Sequence, residues 1–461
     1  MTERRVPCPA CKAPILPGAR KCRACRAWVM EQPPTLRERR FSRAGVIVAT
    51  AVASVLTVLI NGQKDPVGEA PPLTPLALDG SAPGASGPAT IGPDEEPAAP
   101  LAPPDPARRW RARELRVGDF HPLDVAFNPR GGSVYVSGDD ASLREYKLKS
   151  GQLIHKASVP AQGDHIRVLF DRYIAVLRHE DAARIPVMDT AAWDRDPILL
   201  DVGRSPGDIV ELPDGRSVVA ATTDSKRVTR FELPSGARTG NITLPHATGQ
   251  LFVVSATGRA HVGALGALLH NGRPAGAWID LFDPGETPFG ATRRSIAVGR
   301  EPRGGAVTAD GAALFFPDRV SNTATLLRVS GVTEAKRVAV GASPTAGFLL
   351  ADDRYGVTLN EGARTASVID LSTMTVTATL ALGSAPRAGV TSPDRKTLFV
   401  VLGGDGWPPQ GSGVAVIAGD PPRVVASLST GKGACAVAVS KDGAQAVVAS
   451  YVDRSITVLE Q

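Results

Sequence analysis

From residue 122 to the C-terminus, the sequence repeats a pattern of short apolar strands and turns with a nearly constant period. Adjacent units are separated by 42 residues in five of the seven intervals, and by 54 and 48 residues in the other two. The eight units begin at or near Pro122, Asp164, Pro206, Thr248, Pro302, Pro344, Pro386 and Ala434. A regular period of this size is typical of a solenoid or a propeller.

Each unit contains four short strands. Residues 212–220 and 388–400 both show two apolar runs separated by a turn built on Pro and Asp, and these residue types favour tight turns. Residues 366–382 form a second hairpin around the turn at 372–373. Four such strands make one propeller blade. The sequence therefore predicts a mainly β fold, with an eight-bladed propeller over residues 108–461. Seven blades are the alternative if the second or fourth unit is not a blade.

The ends of the repeat region predict how the ring closes. The last unit stops after three strands, at residues 455–459, and residues 113–119 match the outer-strand ending of unit six. We therefore expect the N-terminal strand to complete the last blade, because this pairing removes the open sheet edges of a linear array.

The repeat also carries a family resemblance. Residues 135–138 read Tyr-Val-Ser-Gly, and other units contain Ser-Pro-Asp turns and Val-Ile-Asp-Leu strands. The region from about residue 113 to 461 thus resembles the YVTN-repeat propellers and their lactonase-like relatives. The resemblance implies a propeller and allows lactone hydrolysis at its central channel by acidic, His and Arg side chains. A WD40 propeller is disfavoured, because the Trp193-Asp194 pair has no Gly-His partner.

The N-terminal 30 residues predict a zinc site. Two Cys-x-x-Cys pairs, ten residues apart, are formed by Cys8, Cys11, Cys22 and Cys25. Four thiolates at this spacing can surround one Zn²⁺ tetrahedrally, and a full ligand set makes the metal structural. The alternative is two disulfides or free thiols in a tail. The segment resembles the short zinc-ribbon modules of bacterial N-termini, although Lys12 and Arg26 replace the Gly that usually follows each pair.

The segment after the ribbon predicts a membrane anchor. Residues 31–43 are basic, and residues 44–60 contain seventeen residues without a charge. As a helix this run spans roughly 25 Å, at the short end of what crosses a bilayer. A cleaved signal peptide and a buried soluble helix are the alternatives. Residues 61–107 contain twelve prolines, a composition typical of a disordered linker.

Charge predicts the orientation. Residues 1–43 carry +8 of formal charge whereas the whole chain carries +6, so the basic residues cluster before residues 44–60. Basic flanks stay on the cytoplasmic side. We therefore expect a single-pass protein of a bacterial-type inner membrane, with a cytoplasmic ribbon and an extracytoplasmic propeller.

The propeller shows no catalytic motif in its sequence. Seven histidines stand at positions 121, 155, 165, 179, 246, 261 and 270, without the spacing of a metalloprotease or serine hydrolase. The charged run at residues 178–181, and the aspartate pairs at 139–140, 352–353 and 194/196, are explained by solvated loops and turns. Cys435 lies in an apolar strand and is expected to be a buried filler.

Two functional classes follow from these observations. The first is a membrane-anchored binding or scaffold protein, whose propeller recognises a protein or an envelope polymer. The alternative is a lactonase-like hydrolase acting at the central channel. For the basic ribbon, a cytoplasmic protein or lipid headgroups are expected as partners rather than nucleic acid.

Overall fold

The computed structural model describes residues 110–160, 163–177, 182–256, 259–270, 273–329 and 334–461, and two short strands near the N-terminus. Those two strands, β1 (Val6–Pro7) and β2 (Pro14–Ile15), pair antiparallel. The chain divides into two compact units, Met1–Ala99 and Pro100–Gln461. The four cysteines of the predicted zinc site and the segments 31–43, 44–60 and 61–107 lie outside the described residues. In the described part of the chain, no helix is long and apolar enough to cross a membrane.

The second unit contains eight antiparallel sheets of four strands, one for each predicted repeat. An additional strand, β3 (Arg111–Arg116), precedes the first repeat. Blades 1 and 2 comprise β4 (Pro122–Phe127), β5 (Ser133–Gly138), β6 (Ser142–Lys147), β7 (Leu153–Ser158), and β8 (His165–Leu169), β9 (Tyr173–Leu177), β10 (Arg184–Asp189), β11 (Ile198–Asp201). Blades 3 and 4 comprise β12 (Pro206–Glu211), β13 (Ser217–Thr222), β14 (Arg227–Glu232), β15 (Ala237–Thr243), and β16 (Ala247–Ala256), β17 (Arg259–His270), β18 (Arg273–Phe282), β19 (Arg293–Val298).

The other four blades follow the same order. Blades 5 and 6 comprise β20 (Ala306–Val307), β21 (Ala313–Asp318), β22 (Thr323–Arg328), β23 (Glu334–Ala339), and β24 (Pro344–Leu350), β25 (Tyr355–Asn360), β26 (Thr365–Asp370), β27 (Thr375–Ala381). Blades 7 and 8 comprise β28 (Ala388–Thr391), β29 (Thr397–Val401), β30 (Gly413–Ala418), β31 (Arg423–Ser429), and β32 (Ala434–Val439), β33 (Gln445–Ser450), β34 (Ser455–Glu460). The prediction of eight blades is therefore confirmed, and the second and fourth units are both blades.

Ring closure also follows the prediction. β3 pairs antiparallel with β34, from Arg111 opposite Glu460 to Arg116 opposite Ser455, and so becomes the outer strand of blade 8. The strand lies slightly earlier than the predicted 113–119, and the amide of Val117 extends the pairing by donating to the carbonyl of Arg454 at 3.1 Å. The two ends of the propeller thus share one blade.

The core lies between adjacent blades. The second strands β5 and β13 are buried at all six positions, because a neighbouring blade covers each face of the sheet. Val134 and Val136 of blade 1 pack in one cluster with Val447 and Ala449 of blade 8. These strands therefore read as continuous apolar runs rather than as an alternating pattern.

Blade 5 has the least regular inner strand. β20 contains two residues, and Pro302 makes an isolated bridge to Asp318. The carbonyl of Gly304 accepts a hydrogen bond from the amide of Gly347 in blade 6 at 2.6 Å. The inner strand of blade 5 is interrupted because Gly304 is bonded to the next blade.

A buried polar side chain recurs at the end of the second strand. Thr222, Asp318, Asn360 and Ser450 occupy this position in blades 3, 5, 6 and 8, and none of them is exposed. The Oδ2 atom of Asp318 accepts hydrogen bonds from Thr323 Oγ1 at 3.0 Å and Thr325 Oγ1 at 2.6 Å. In blade 6, Asn360 donates its side-chain amide to the matching hydroxyls of Thr365 and Ser367. The side chains of Thr222, Asp318 and Asn360 therefore tie the second strand to the third.

Candidate functional site

Two kinds of connection emerge on one face of the ring, and the repeat varies in length there. The connection between the second and third strands of each blade emerges on the same face as the connection that enters that blade. Backbone hydrogen bonds join the two, for example Thr223 to Ser205 at 3.0 Å and Tyr451 to Gly433 at 2.8 Å. We call this side of the propeller the loop face.

Blade 4 projects from the loop face as an extended hairpin. β17 and β18 contain 12 and 10 residues, whereas the second and third strands of the other blades contain five or six. Their pairing continues to His270 opposite Arg273, beyond the points at which the flanking strands β16 and β19 stop pairing with them. The 54-residue spacing of unit four accounts for this extension.

Blade 7 carries the second irregularity, an eleven-residue connection at 402–412 between β29 and β30. Its base is closed by hydrogen bonds from Gly411 to Gly403 at 2.7 Å and from Leu402 to Gly413 at 2.8 Å. A Cβ atom on Gly411 would collide with the carbonyl oxygen of Leu402. The amide of Gly433 in blade 8 also donates to Gly411 at 2.9 Å. The loop is therefore anchored to its own blade and to the next one.

This loop presents a tryptophan to a cluster of aromatic rings. The Trp407 ring lies 4.9 Å from the Tyr451 ring at an interplanar angle of 59°, and Tyr451 stacks on His121 at 4.5 Å and 24°. The Nδ1 atom of His121 lies 2.7 Å from the carbonyl oxygen of Tyr451. All three side chains are half-buried. Trp407 comes from blade 7, Tyr451 from blade 8, and His121 from the segment that enters blade 1. We call these three residues the aromatic ledge.

An arginine lies beside the ledge. The guanidinium of Arg387 is 5.1 Å from the centre of the Trp407 ring, and its Nη1 donates to the carbonyl of Gly406 at 2.8 Å. Arg387 therefore supports the tip of the loop and places a positive charge next to the exposed part of the ledge. This arrangement can bind a ligand that has both flat apolar surfaces and negative charge.

A buried arginine lies below the other end of the ledge. The Arg144 guanidinium lies 3.5 Å from the centre of the Phe120 ring, and Phe120 directly precedes His121. Arg144 also pairs with Asp140 at 2.5 Å. The amide of His121 donates to the Asp139 carboxylate at 2.9 Å. The aspartates at 139–140 thus have a structural role in a turn, as predicted.

The wall of the central channel is polar on one side. Asp124 accepts hydrogen bonds from the amides of Val125 and, in the next blade, Ile166, both at 2.9 Å. Asp208 repeats this geometry with the amides of Ile209 at 2.9 Å and Leu251 at 3.2 Å. Each carboxylate therefore joins the inner strands of two adjacent blades.

Two exposed basic side chains lie against these carboxylates. The Nδ1 atom of His165 is 3.4 Å from Asp124, and the Nε atom of Arg167 is 3.4 Å from Asp208. The side chains of His165 and Arg167 are 54% and 48% exposed. This set contains the residue types of the hydrolase alternative, but its carboxylates are engaged by backbone amides.

A Ser, an Asp and a His meet on the loop face of blade 4. His246 stacks on Trp278 at 4.1 Å and lies 3.1 Å from the buried carboxylate of Asp280. Ser295 donates to the same carboxylate at 2.5 Å. A nucleophilic serine is activated by a hydrogen bond to a base such as histidine. Here the Ser295 hydroxyl bonds to Asp280 and not to His246, so it is not activated as a nucleophile. The cluster holds β18 against the start of the blade.

The remaining predicted candidates have structural positions or lie outside the described residues. The Asp353 carboxylate accepts the amide of Ala309 at 2.6 Å in a turn. Cys435 is half-buried rather than fully buried, because its Sγ lies in the seam between blades 8 and 1, 3.6 Å from the carbonyl of Pro122. The charged run at 178–181 and the zinc ligands cannot be placed, since they lie outside the described residues. No group of three or more potential metal ligands occurs in the described part of the chain.

A cavity of about 320 Å³ lies on the opposite side, between blades 7 and 8. Trp110 and Gln461, at the two ends of the propeller, line it together with Val416 and Arg423. Arg423 is the one charged side chain among the described residues that line this cavity, so the loop face remains the stronger candidate.

Sequence reasoning missed the residues of the ledge. Their signal was present in the spacing, because the intervals of 54 and 48 residues mark insertions in units four and seven. In repeat proteins, insertions concentrate on one face, which is often the binding face. Trp407 lies within the second insertion.

Comparison with known proteins supports the fold and leaves the activity open. No family model and no curated protein matches the chain. Among solved structures, 1700 chains match. One of them, described as Kuenenia stuttgartiensis Hydrazine Synthase, has a TM-score of 0.50 and 14% identity over 75% of this chain and 97% of that chain. At this identity the likeness shows a shared propeller fold alone, and so widespread a fold does not assign a function.

Proposed function

We propose that this protein is a membrane-anchored binding or scaffold protein that recognises a protein or an envelope polymer on the loop face of its propeller. Residues 44–60 anchor the chain in the inner membrane, with the propeller outside the cytoplasm. Residues 1–30 form a cytoplasmic ribbon in which Cys8, Cys11, Cys22 and Cys25 hold one structural Zn²⁺, and a cytoplasmic protein or lipid headgroups contact the ribbon.

The observation that carries the binding function is the position of the two insertions. Both interrupt the connection between the second and third strands, and both therefore lie on the loop face. The rest of the ring keeps short connections of three or four residues in blades 1, 3, 5, 6 and 8. The anchored loop at 402–412 also limits the entropy that a partner must remove on binding.

The lactonase-like alternative has one supporting observation, the exposed His165 and Arg167 in the channel. Hydrolysis by such a set needs a group that activates water or a nucleophile. Asp124 and Asp208 are the nearest carboxylates, and each already accepts two backbone amides. Binding is therefore the better-supported function, and hydrolysis stays a prediction.

Site-specific photo-crosslinking in intact cells tests the binding proposal. A photoreactive residue replaces Gln410 on the loop face in one variant and Lys396, in the opposite turn of the same blade, in the control; both positions are exposed. We expect discrete crosslinked species from position 410 that are absent from position 396. Equal crosslinking at both positions, or none at 410, would argue against a loop-face receptor.

A further inference from the structure

We propose that the aromatic ledge and Arg387 form a binding site for an acidic polysaccharide. A sugar ring stacks on Trp407 beside Tyr451, and Arg387 binds a carboxylate of the polysaccharide. This inference rests on the proposed binding function and specifies the chemistry of the ligand.

The ledge offers flat surfaces that are held in place before a ligand arrives. Trp407 is fixed by the closed base of its loop and by the hydrogen bond from Arg387 to Gly406. Tyr451 is fixed between His121 and Trp407. The C–H faces of a pyranose ring are apolar and flat, while its hydroxyls point outward to water. Half-buried Trp and Tyr rings match this division between apolar and polar surface.

The charges around the ledge favour an anion. Lys432 is exposed on the same face, close to the backbone of Tyr451 and Val452, because the Val452 amide donates to its carbonyl at 3.1 Å. Asp405 pairs with Arg364 at 2.9 Å, whereas Asp453 keeps its charge while it accepts the amide of Lys432 at 2.6 Å. Arg387 and Lys432 are the cations that a uronic-acid carboxylate meets here, and the Asp453 charge opposes them.

A cationic ligand is disfavoured by the same geometry. Aromatic clusters can bind quaternary ammonium groups through the faces of their rings. Here the Arg387 guanidinium already lies 5.1 Å from the Trp407 ring centre. A second cation at this ring would be repelled by the first.

A peptide partner is less consistent with the surface than a polysaccharide. Protein interfaces are centred on buried apolar anchors. Among the described side chains, five large apolar residues are exposed, namely Leu153, Ile154, Leu199, Val320 and Val376. Of these, Val320 in the second-to-third connection of blade 5 is on the loop face. The described surface near the ledge therefore lacks apolar anchors other than the rings themselves.

Binding to defined oligosaccharides tests the proposal with the purified full chain in detergent. The probes are oligogalacturonate, the same oligomer with its carboxylates reduced to alcohols, and polyglutamate of similar length. We expect oligogalacturonate to bind and to shift tryptophan fluorescence, with affinity falling as salt rises. The neutral oligomer should bind about tenfold more weakly, which corresponds to the loss of one charged contact.

Matched variants locate the site. Trp407→Ala and Arg387→Gln should each weaken oligogalacturonate binding by about tenfold or more. The control Trp193→Ala removes another half-buried tryptophan that stacks on a histidine, at 5.1 Å from His155 and away from the loop face. The control Arg303→Gln changes the equivalent arginine of blade 5, which precedes the inner strand and pairs with Glu301. Both controls should bind like the unchanged protein, and circular dichroism confirms that all variants fold.

Three results would overturn the proposal: no binding of oligogalacturonate, polyglutamate binding with equal affinity, or unchanged binding by the folded Trp407→Ala variant. Equal binding of polyglutamate would show that the site selects negative charge and not sugar rings. The crosslinking experiment separates this failure from that of the proposed function. A crosslinked partner at position 410 without polysaccharide binding would keep the loop-face receptor and reject the sugar ligand.

Discussion

Asp318 is predicted to destabilise the folded protein at neutral pH, and replacing it with Asn should make the propeller more stable. Its carboxyl group is fully buried at the end of β21. The Oδ2 atom accepts two hydroxyl hydrogen bonds. Burial raises the pKa of Asp318, against the lowering effects of the hydrogen bonds from Thr325 and Thr323, of the Arg337 charge and of the Gly299 amide.

The equivalent position in blade 6 shows that an amide fits. Asn360 is as buried as Asp318 and bonds to two hydroxyls at 3.0 and 2.9 Å. Asp318→Asn keeps the shape of the side chain and removes the buried charge. In blade 6, Thr358 also donates to Oδ1 of Asn360 at 3.0 Å, whereas Phe316 occupies that position in blade 5. The gain from Asp318→Asn therefore comes from removing the buried charge, and each unit by which burial raises the pKa corresponds to about 1.4 kcal/mol. We expect the free energy of unfolding at pH 7 to rise by about 1 kcal/mol.

The pH dependence of this gain has a defined sign. Because the pKa of Asp318 is raised in the folded state, the folded protein binds the proton more tightly than the unfolded chain, whose Asp pKa is about 3.9. Stability is thus lost as pH rises from the unfolded pKa through the raised folded pKa. The gain from Asp318→Asn should be full above the raised pKa and should disappear below about pH 4.

Denaturant unfolding, followed by tryptophan fluorescence between pH 4 and pH 8, measures the effect on both proteins. Asp208→Asn is the matched control, since the Asp208 carboxylate is also buried but accepts two backbone amides. In Asp208→Asn the side-chain NH₂ group would face one of these two backbone N–H donors. This control variant should therefore be less stable than the unchanged protein at neutral pH. The reasoning is refuted if Asp318→Asn destabilises the protein at pH 7, or if its gain is independent of pH.

Three further predictions concern other parts of the chain. The purified protein should contain one zinc per chain by elemental analysis, and Cys8→Ser should lower that content; full zinc in this variant would contradict the four-thiolate site. Leu115→Asp should cost about 2 kcal/mol or more in urea unfolding, because Leu115 packs on the core of the closing blade; a neutral effect would argue against closure by β3. Arg172 bonds to Asp189 at 3.0 and 2.6 Å and lowers the pKa of Asp189. Asp189→Asn should therefore lower the free energy of unfolding by about 0.2–1 kcal/mol at pH 7. This difference from the unchanged protein should vanish as pH falls through the lowered pKa of Asp189. A difference that persists at pH 2 would exclude the Arg172–Asp189 pair as its source.

The architecture of the propeller could be predicted because it depends on local patterns. Apolar runs of five or six residues specify strands, Pro and Asp specify the turns, and the 42-residue period counts the blades. Even the closing strand was recognisable, since a unit with three strands requires a fourth from elsewhere. These features repeat at each blade, so a weak signal in the second unit is supported by its neighbours. The zinc site and the membrane anchor also rest on local patterns, and they remain predictions.

The chemistry of individual side chains was decided by contacts between blades. Asp124, Asp208 and Asp318 are the same residue type in similar β-rich surroundings. The first two accept backbone amides from inner strands, and the third accepts the hydroxyls of two threonines on the next strand. No local pattern separates these cases, because the partner of each carboxylate comes from a different strand or blade.

The sequence by itself predicted a propeller of eight blades with seven as the alternative, the order of the strands and the places where the repeat is interrupted. Only the tertiary structure decided what those interruptions form. His121 and Tyr451 are 330 positions apart and meet because ring closure brings blade 8 against blade 1, while Trp407 reaches them from a loop anchored on both sides. Local physical chemistry specifies a strand or a turn, but the ledge depends on the closed ring, since contacts across its seam exist only after the two ends of the chain have paired.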